Sequence, residues 1–521
     1  MVGKRKSSAD KPKAIVMPIE APDADDFTLQ VAKVVPELNV IRAPEGIKDI
    51  SEAHLQGLDI AKLLEDLKAK AEPAEALKAR IANTRSEELY QEARAVIEID
   101  DPLELVQMAI RGLGYGGDIK PALITYLAAT SRLIFMREGS MPVHLLLTGQ
   151  STVGKNYTLA MIKRLLPSEA YHTIDAGSPR VLIYDDADLR YRLLIFGEAD
   201  SLPAGEDNPA ASAIRNLLQD HHLHYQVTIK DKETGDYTVH KVDKPGPTVL
   251  ISTSTRSLGD QLSTRLFTLE ISDSGEQVSA ALATQAMIET EGISQPDEAL
   301  LAYQAYLQLK APFKVVVPFA RELASTMDKT AVAPRILRDF ARLLSLVKAV
   351  AILRHHKRRL DGQGRILAEL EDYQTVRELV AEMYTETTSG AVAVIREIVE
   401  AVMELNYARG DGEHITATKL AAHLGIHKST AVRRAKKALK QGWIVNRDQR
   451  RGYPADYAPG EPMPVSAGLP TTEALIGKTG VAVASNVQPI SEGKTGKGCT
   501  VAGITDGSVP PYTPDNDILE V

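Results

Sequence analysis

Gly149 and Gly154 bracket a tight stretch, and Lys155 follows the second glycine directly. "VHLLLTG" before it is a short apolar run ending at a glycine, which reads as a buried strand. "YTLAMIKRLL" after it spaces Leu159, Ile162 and Leu166 as a helix does. In a strand, glycine-rich loop and helix of this kind, backbone N–H groups can wrap a phosphate chain at a positive helix end. The lysine adds a point charge for the terminal phosphates. Gly149, Gln150, Ser151, Thr152, Val153, Gly154, Lys155, Asn156 and Tyr157 are therefore the candidate phosphate-binding residues. Asn156 stands where a Ser or Thr hydroxyl would ligate Mg²⁺. Its amide oxygen can ligate a hard cation but has no hydroxyl to ionise.

A phosphate site that does chemistry needs a carboxylate from a neighbouring strand. "YRLLIFGEADSL" supplies one, with Leu193 to Phe196 as the strand and Glu198 just past it, 43 residues after Lys155. Gly197 occupies the position where an Asp often holds the metal's water shell. Glu198 is then the candidate to orient water and, with Asn156, to hold Mg²⁺, and Asp200 is the nearest helper. A third strand, "PTVLISTSTRSL", ends in hydroxyls, of which Thr253 is the candidate for a γ-phosphate or water contact. Arg265, just ahead of a fourth strand, could reach a neighbouring subunit's γ-phosphate, with Arg256 as its competitor.

These residues have to be positioned by an α/β unit over 141–275. A helical region at 76–140 precedes it and another at 276–385 follows. Inside the α/β unit, "YQVTIKD" and "DYTVHKV" alternate around a Glu-Thr-Gly turn and predict a hairpin decorated by Lys230, Lys232, His240 and Lys241, either an exposed charged hairpin or a loop touching DNA in the pore of a ring. His221, His222 and His224 have no carboxylate or cysteine at metal-site spacing and read as a solvated helix end. "RHHKRR" at 354–359 reads as a second phosphate contact or, more simply, as a solvated helix end. Residues 461–521 are rich in Gly, Pro, Ser and Thr and read as a flexible tail.

Composition bounds the rest. A chain of 521 residues suggests several folded units, and a net charge of −8 confines any nucleic-acid surface to a local patch. The single Cys499 excludes an intramolecular disulfide framework and a Cys-based zinc site. No apolar run is long enough to span a membrane, and the expected location is the cytoplasm.

The local patch is near the C-terminus. Between His427 and Arg451 nine Lys/Arg face one acid, Asp448. Helices around 418–424 and after Ser429, the second capped by Ser429, precede two strands, "GWIVNRD" and "GYPADY", around a basic wing. That order predicts a winged helix-turn-helix over 386–460. Val432, Ala435, Ala438 and Leu439 share one side of the second helix, and Arg433, Arg434, Lys436, Lys437 and Lys440 are expected to face out. The candidate contacts to single- or double-stranded DNA are Lys428, Ser429, Arg433, Arg434, Lys437, Lys440, Arg450 and Arg451. Trp443 is expected in the core.

The order of phosphate loop, "FGEAD", hairpin, hydroxyl-ended strand and "LSTRL" resembles the P-loop helicase module of bacterial mobile-element and phage primase–helicases, which are similar to AAA+ and superfamily 3 helicases. The resemblance covers roughly residues 100–460. It implies a P-loop NTPase parallel sheet flanked by helices, then a helical region and the winged helix. It also implies ATP and Mg²⁺ as cofactors, Lys155 and Glu198 as catalytic residues, and Arg265 acting across a homo-oligomeric ring. Asn156 and Gly197 depart from the pattern and weigh against strong hydrolysis. Residues 1–75, with a strand, Asp23 and Asp25, a helix, a strand and Lys48–Asp49, resemble the latter part of a Toprim domain. That implies a truncated segment, either a remnant or half of a split protein with a separately encoded primase half as its partner. Three functions fit: an ATP-driven, helicase-like replication protein; a DNA-binding regulator or loader using the nucleotide as a switch; or a catalytically impaired remnant of a primase–helicase.

Overall fold

The central strands send alternate side chains into two different cores. Leu145 and Leu147, Leu193 and Ile195, and Val249 and Ile251 enter one, while Leu146, Leu194, Phe196 and Leu250 enter the other. A sheet buried on both faces requires the continuous apolar runs seen in the sequence, because successive side chains of a strand point to opposite faces. The computed structural model describes residues 14–17, 31, 38–42, 46–47, 50–137, 139–150, 154–174, 182, 185, 187–197, 209–230, 237–254, 265–327, 336–389, 393–410, 413–448, 450, 453–463 and 469–479.

At the N-terminus β1 (Ala14–Met17) runs parallel to β2 (Asn39–Arg42), which pairs antiparallel with β3 (Glu72–Pro73). The strands expected near 13–20 and 38–44 are present. Asp23, Asp25, Lys48 and Asp49 lie outside the described residues. The helices that lead to the sheet include α1 (Ala74–Glu92), α2 (Pro102–Gly112) and α3 (Lys120–Thr130). Every residue of α3 from Pro121 to Thr130 is buried.

The sheet contains β4 (Leu145–Thr148), β5 (Tyr171–Ile174), β6 (Arg192–Phe196), β9 (Thr248–Ser254) and β10 (Phe267–Glu270). All pairings are parallel, in the order β10-β4-β9-β6-β5. α4 (Lys155–Arg164) follows β4, and α5 (Pro209–Asp220) precedes a hairpin of β7 (His222–Lys230) and β8 (Tyr237–Pro245). Beyond β10 come α6 (Gly275–Glu291), α7 (Glu298–Lys310), α8 (Ile336–Leu353) and α9 (Leu370–Ser389). Helices α2, α3, α7 and α8 share one core with the sheet, so the helical regions before and after it pack as its flanking layer. Among the described residues no helix is long and apolar enough to cross a membrane.

His144 fixes where β4 begins. It is fully buried and accepts the Leu250 N–H at Nδ1 (3.1 Å), so Nε2 carries the proton and donates to the Leu218 carbonyl (3.0 Å). Burial pushes its pKa down to about 3. Burial, with His356 beside it, lowers His355 to about 4. An unfolded histidine titrates near ~6.5, so the unfolded chain binds these protons more readily through the window below that value. Stability is therefore full above pH 6.5 and falls as acid approaches the folded pKa values. The denaturant midpoint is expected to drop steadily from pH 7 to pH 4, with a shallower slope in His144→Gln. A slope unchanged by the substitution would remove His144 from that account.

The "RHHKRR" stretch departs from the solvated end expected of it. Arg354 Nη1 donates to Asp372 Oδ1 (3.0 Å) and its Nε to Asp101 Oδ1 (3.1 Å), while Arg358 Nη2 donates to Asp372 Oδ1 (2.6 Å). Asp372 is fully buried. Burial opposes the Arg354 charge, and its bonds to Asp101 and Asp372 outweigh that, raising its pKa. The basic run is an internal tie between α8, α9 and the start of α2. The basic run by itself does not show that Asp372, 14 to 18 positions on, and Asp101, 253 positions back, fold against it.

The C-terminal unit has α10 (Ala393–Tyr407), α11 (Ala417–His423), α12 (Lys428–Lys440) and an antiparallel pair of short strands, Ile444–Asn446 and Tyr457–Pro459. Its core joins Ile398, Val402, Leu420, Ala431, Ala435, Trp443 and Tyr457, so Trp443 is where the sequence puts it. The cap of α12 differs from expectation. His427 is the N-cap, its ring accepting the Ser429 N–H at 3.3 Å, and Ser429 lies within the first turn.

Candidate functional site

The strand and the helix that flank the glycine-rich stretch form where the sequence places them. β4 ends at Thr148 and α4 begins at Lys155. Gly154 caps the helix with φ +93°, a left-handed conformation that a side chain would strain. The Lys155 ammonium folds back over the loop and donates to the carbonyls of Gly149 (2.9 Å) and Gln150 (2.6 Å). A buried lysine at a helix N-terminus, its charge turned toward a loop, suits an anionic phosphate. Asn156 is exposed on the first turn of α4. Ser151, Thr152 and Val153 lie outside the described residues.

The neighbouring strand ends converge as expected, with one difference. Thr253 is buried and its hydroxyl donates to the Gly197 carbonyl (2.5 Å), while Ser252 donates to Phe196 (3.1 Å). These hydroxyls fasten the end of β9 to the end of β6, one residue before Glu198. Thr253 thus spends its proton on the backbone rather than aiming it at a phosphate. Glu198, Asp200 and Arg256 lie outside the described residues. Arg265 is half-buried at the turn into β10 and donates to Gln219 Oε1 of α5 (3.1 Å). Burial, with Arg338 and Arg215 nearby, lowers its pKa.

Two tyrosines complete the setting of α4. Tyr157 donates to the Gly114 carbonyl (2.9 Å) and stacks on Tyr115 (6.2 Å between centroids). Tyr115 shares a hydrogen bond with buried Thr158 (3.1 Å). The turn that presents them packs closely on α6, and a Cβ at Gly116 would meet the Ala280 carbonyl oxygen at 2.7 Å. The sequence signal for this contact is "RGLGYGGD", a glycine-rich turn that phosphate chemistry alone does not single out.

Asp273, three residues past β10, links the loop to the C-terminal unit. Gln150 Nε2 donates to Asp273 Oδ2 (2.7 Å), and Arg434 Nη2 donates to Asp273 Oδ1 (3.3 Å). Arg434 Nη1 also reaches Glu397 Oε2 (3.2 Å), and Arg433 lies 3.9 Å from Asp273. This corrects the expected outward face of α12. Arg434 is buried, while Ser429, Arg433, Lys436, Lys437 and Lys440 are exposed. At ~100° per residue those five share one stripe and Arg434 lies beside it. Arg450, a candidate phosphate contact, is held by Asp448 (2.7 and 2.9 Å) and lies over the Tyr453 ring (4.2 Å). The bonds to Arg450 hold the Asp448 carboxyl down at about 2. Lys428 is exposed at the start of α12, and Arg451 lies outside the described residues.

The family described as the MTBMA_p00010 P-loop domain matches residues 92–316, from the end of α1 to just past α7. That segment holds the five-stranded parallel sheet and its flanking helices, in keeping with a P-loop NTPase fold. The P-loop domain so matched includes α2 and α3, in agreement with the core they share with the sheet. The chain is also similar to the uncharacterized protein MTBMA_p00010 of Methanothermobacter marburgensis, 25% identical over 276 residues. The match covers 50% of this chain and 32% of the relative, so the chain spans about a third of the length of the protein it resembles.

Proposed function

We propose that the chain is an ATP-dependent, helicase-like DNA replication protein of a mobile element or phage, in which the nucleotide at 149–157 and DNA on the C-terminal unit act on each other. The observation that carries this reading is the Asp273 carboxylate, shared by Gln150 of the phosphate loop and Arg434 of the basic helix. Lys155 would exchange its two loop carbonyls for phosphate oxygens, releasing the loop at Gln150. Mg²⁺ would supply charge neutralisation on the phosphates, with Asn156 and Glu198 as its candidate ligands. Glu198 would orient the attacking water, and Thr253 would hold the strand end that carries it. Arg265 would act across the interface of a homo-oligomeric ring.

The C-terminal arrangement of three helices and two short antiparallel strands supports a winged helix. Its exposed stripe of Ser429, Arg433, Lys436, Lys437 and Lys440, with Lys428 at the end, suits a phosphate backbone. Arg450 and Arg451 would add wing contacts, and Arg434 anchors the helix rather than reading DNA. A second reading, a regulator or loader that uses nucleotide as a switch, is favoured by Gly197 and Asn156.

ATP turnover with and without single-stranded DNA separates the two. DNA-stimulated turnover abolished by Lys155→Ala and Glu198→Gln supports the motor. Lys155-dependent ATP binding without turnover supports the switch.

A further inference from the structure

We propose that the base of the β7–β8 hairpin is a binding site for a divalent transition-metal ion, with Zn²⁺ the best match, held by His222, His224 and Asp243. The three are dispersed in sequence, and the hairpin register brings them together. His224 pairs directly across from Asp243, and His222 stands two residues along the same strand. Alternation puts all three on one face. The His222 Nε2 and Asp243 Oδ1 atoms are in contact, and His224 Nδ1 lies 3.2 Å from the same oxygen. The imidazoles stack at 3.9 Å between centroids, and the three ligand atoms lie within 4.8 Å of one another. An ion bound at ~2.0–2.2 Å from each needs only a small rotation of these side chains to seat. Among the described residues this is the one group of three or more His, Cys, Asp or Glu placed to hold an ion.

The opposite face makes the site rigid. Leu223 is fully buried, Tyr225 and Val242 pack on the same core, and Lys244 Nζ donates to the Leu182 carbonyl (2.9 Å). The ligand face is therefore fixed to the sheet, as a metal site requires of its supporting elements. Two imidazoles and one carboxylate select Zn²⁺, Co²⁺ or Ni²⁺ over Mg²⁺ or Ca²⁺, which prefer all-oxygen shells. Three protein ligands leave a further position for water. The ion cross-links the two strands at the hairpin's anchored end and neutralises Asp243. The histidines stand in β7 rather than at a helix end, and their carboxylate partner comes from the other strand, about twenty residues on.

The test is a titration of the tag-free full chain, stripped with chelator, using Co²⁺ as spectroscopic probe and Zn²⁺ as competitor. The expected result is saturable binding of one Co²⁺ per chain with ligand-field bands displaced by Zn²⁺. His224→Ala and Asp243→Ala should each weaken binding at least tenfold, and the double variant His222→Ala/His224→Ala should abolish the bands. His172→Ala, at a histidine paired elsewhere with Asp185, should leave the titration unchanged. Absence of one-to-one saturation in the wild-type chain would overturn the site. So would bands that survive in the double variant. The wild-type titration decides the matter even if a variant folds poorly.

Discussion

Lys155→Ala is expected to weaken ATP binding by about two orders of magnitude and to stop any turnover. The Lys155 ammonium holds two loop carbonyls, at 2.9 and 2.6 Å, in a position where a phosphate would take over the same donors. At ~1.5 kcal/mol for each of two charge-assisted bonds, losing both costs roughly a hundredfold in affinity. The fold should survive, because Thr158, Leu159, Met161 and Ile162 keep α4 packed. Calorimetric titration of ATP into both chains, with thermal melts alongside, checks this. Equal affinities would mean that nucleotide is held somewhere other than the loop.

Asp273→Ala is expected to uncouple the two halves of the molecule without removing either ligand. Asp273 touches neither the candidate phosphate residues from 154 onward nor the exposed basic stripe of α12 beyond Arg433. It joins Gln150 to Arg434, whose other partner is Glu397. A buried guanidinium that loses one of its two carboxylates leans on the other, so Arg434 would shift toward Glu397. ATP affinity and DNA affinity measured separately should change by less than about threefold. The influence of one on the other, commonly 5- to 150-fold for coupled sites, should vanish. Arg434→Ala should have the same effect, whereas Lys437→Ala should weaken DNA binding alone and reduce its salt dependence. If Asp273→Ala leaves the coupling intact, another path carries it.

The phosphate loop was legible because it is local. A strand, two glycines, a lysine and an amphipathic helix lie within 25 residues, and each element forms where its pattern says. The central strands and the hairpin were legible for the same reason. What was not legible depends on distant partners. Asp273 carries no local mark, and its meaning comes from Gln150 and Arg434, 123 and 161 positions away. Arg434 reads as outward by its neighbours' charge, yet it sits one step off the stripe and meets acids there. The histidines at 222 and 224 lacked a carboxylate only until the hairpin register supplied Asp243. Thr253 offers a hydroxyl by sequence, and the neighbouring Gly197 carbonyl takes its hydrogen bond. In each case periodicity fixed the element, while pairing across elements decided what the side chain does.

The most direct measurement is DNA affinity of the purified chain, by fluorescence anisotropy at fixed salt, with and without saturating Mg²⁺ and a non-hydrolysable ATP analogue. The account predicts at least a fivefold change in the wild-type chain and none in Asp273→Ala. An identical DNA affinity in both states, with the analogue shown to be bound, would contradict it.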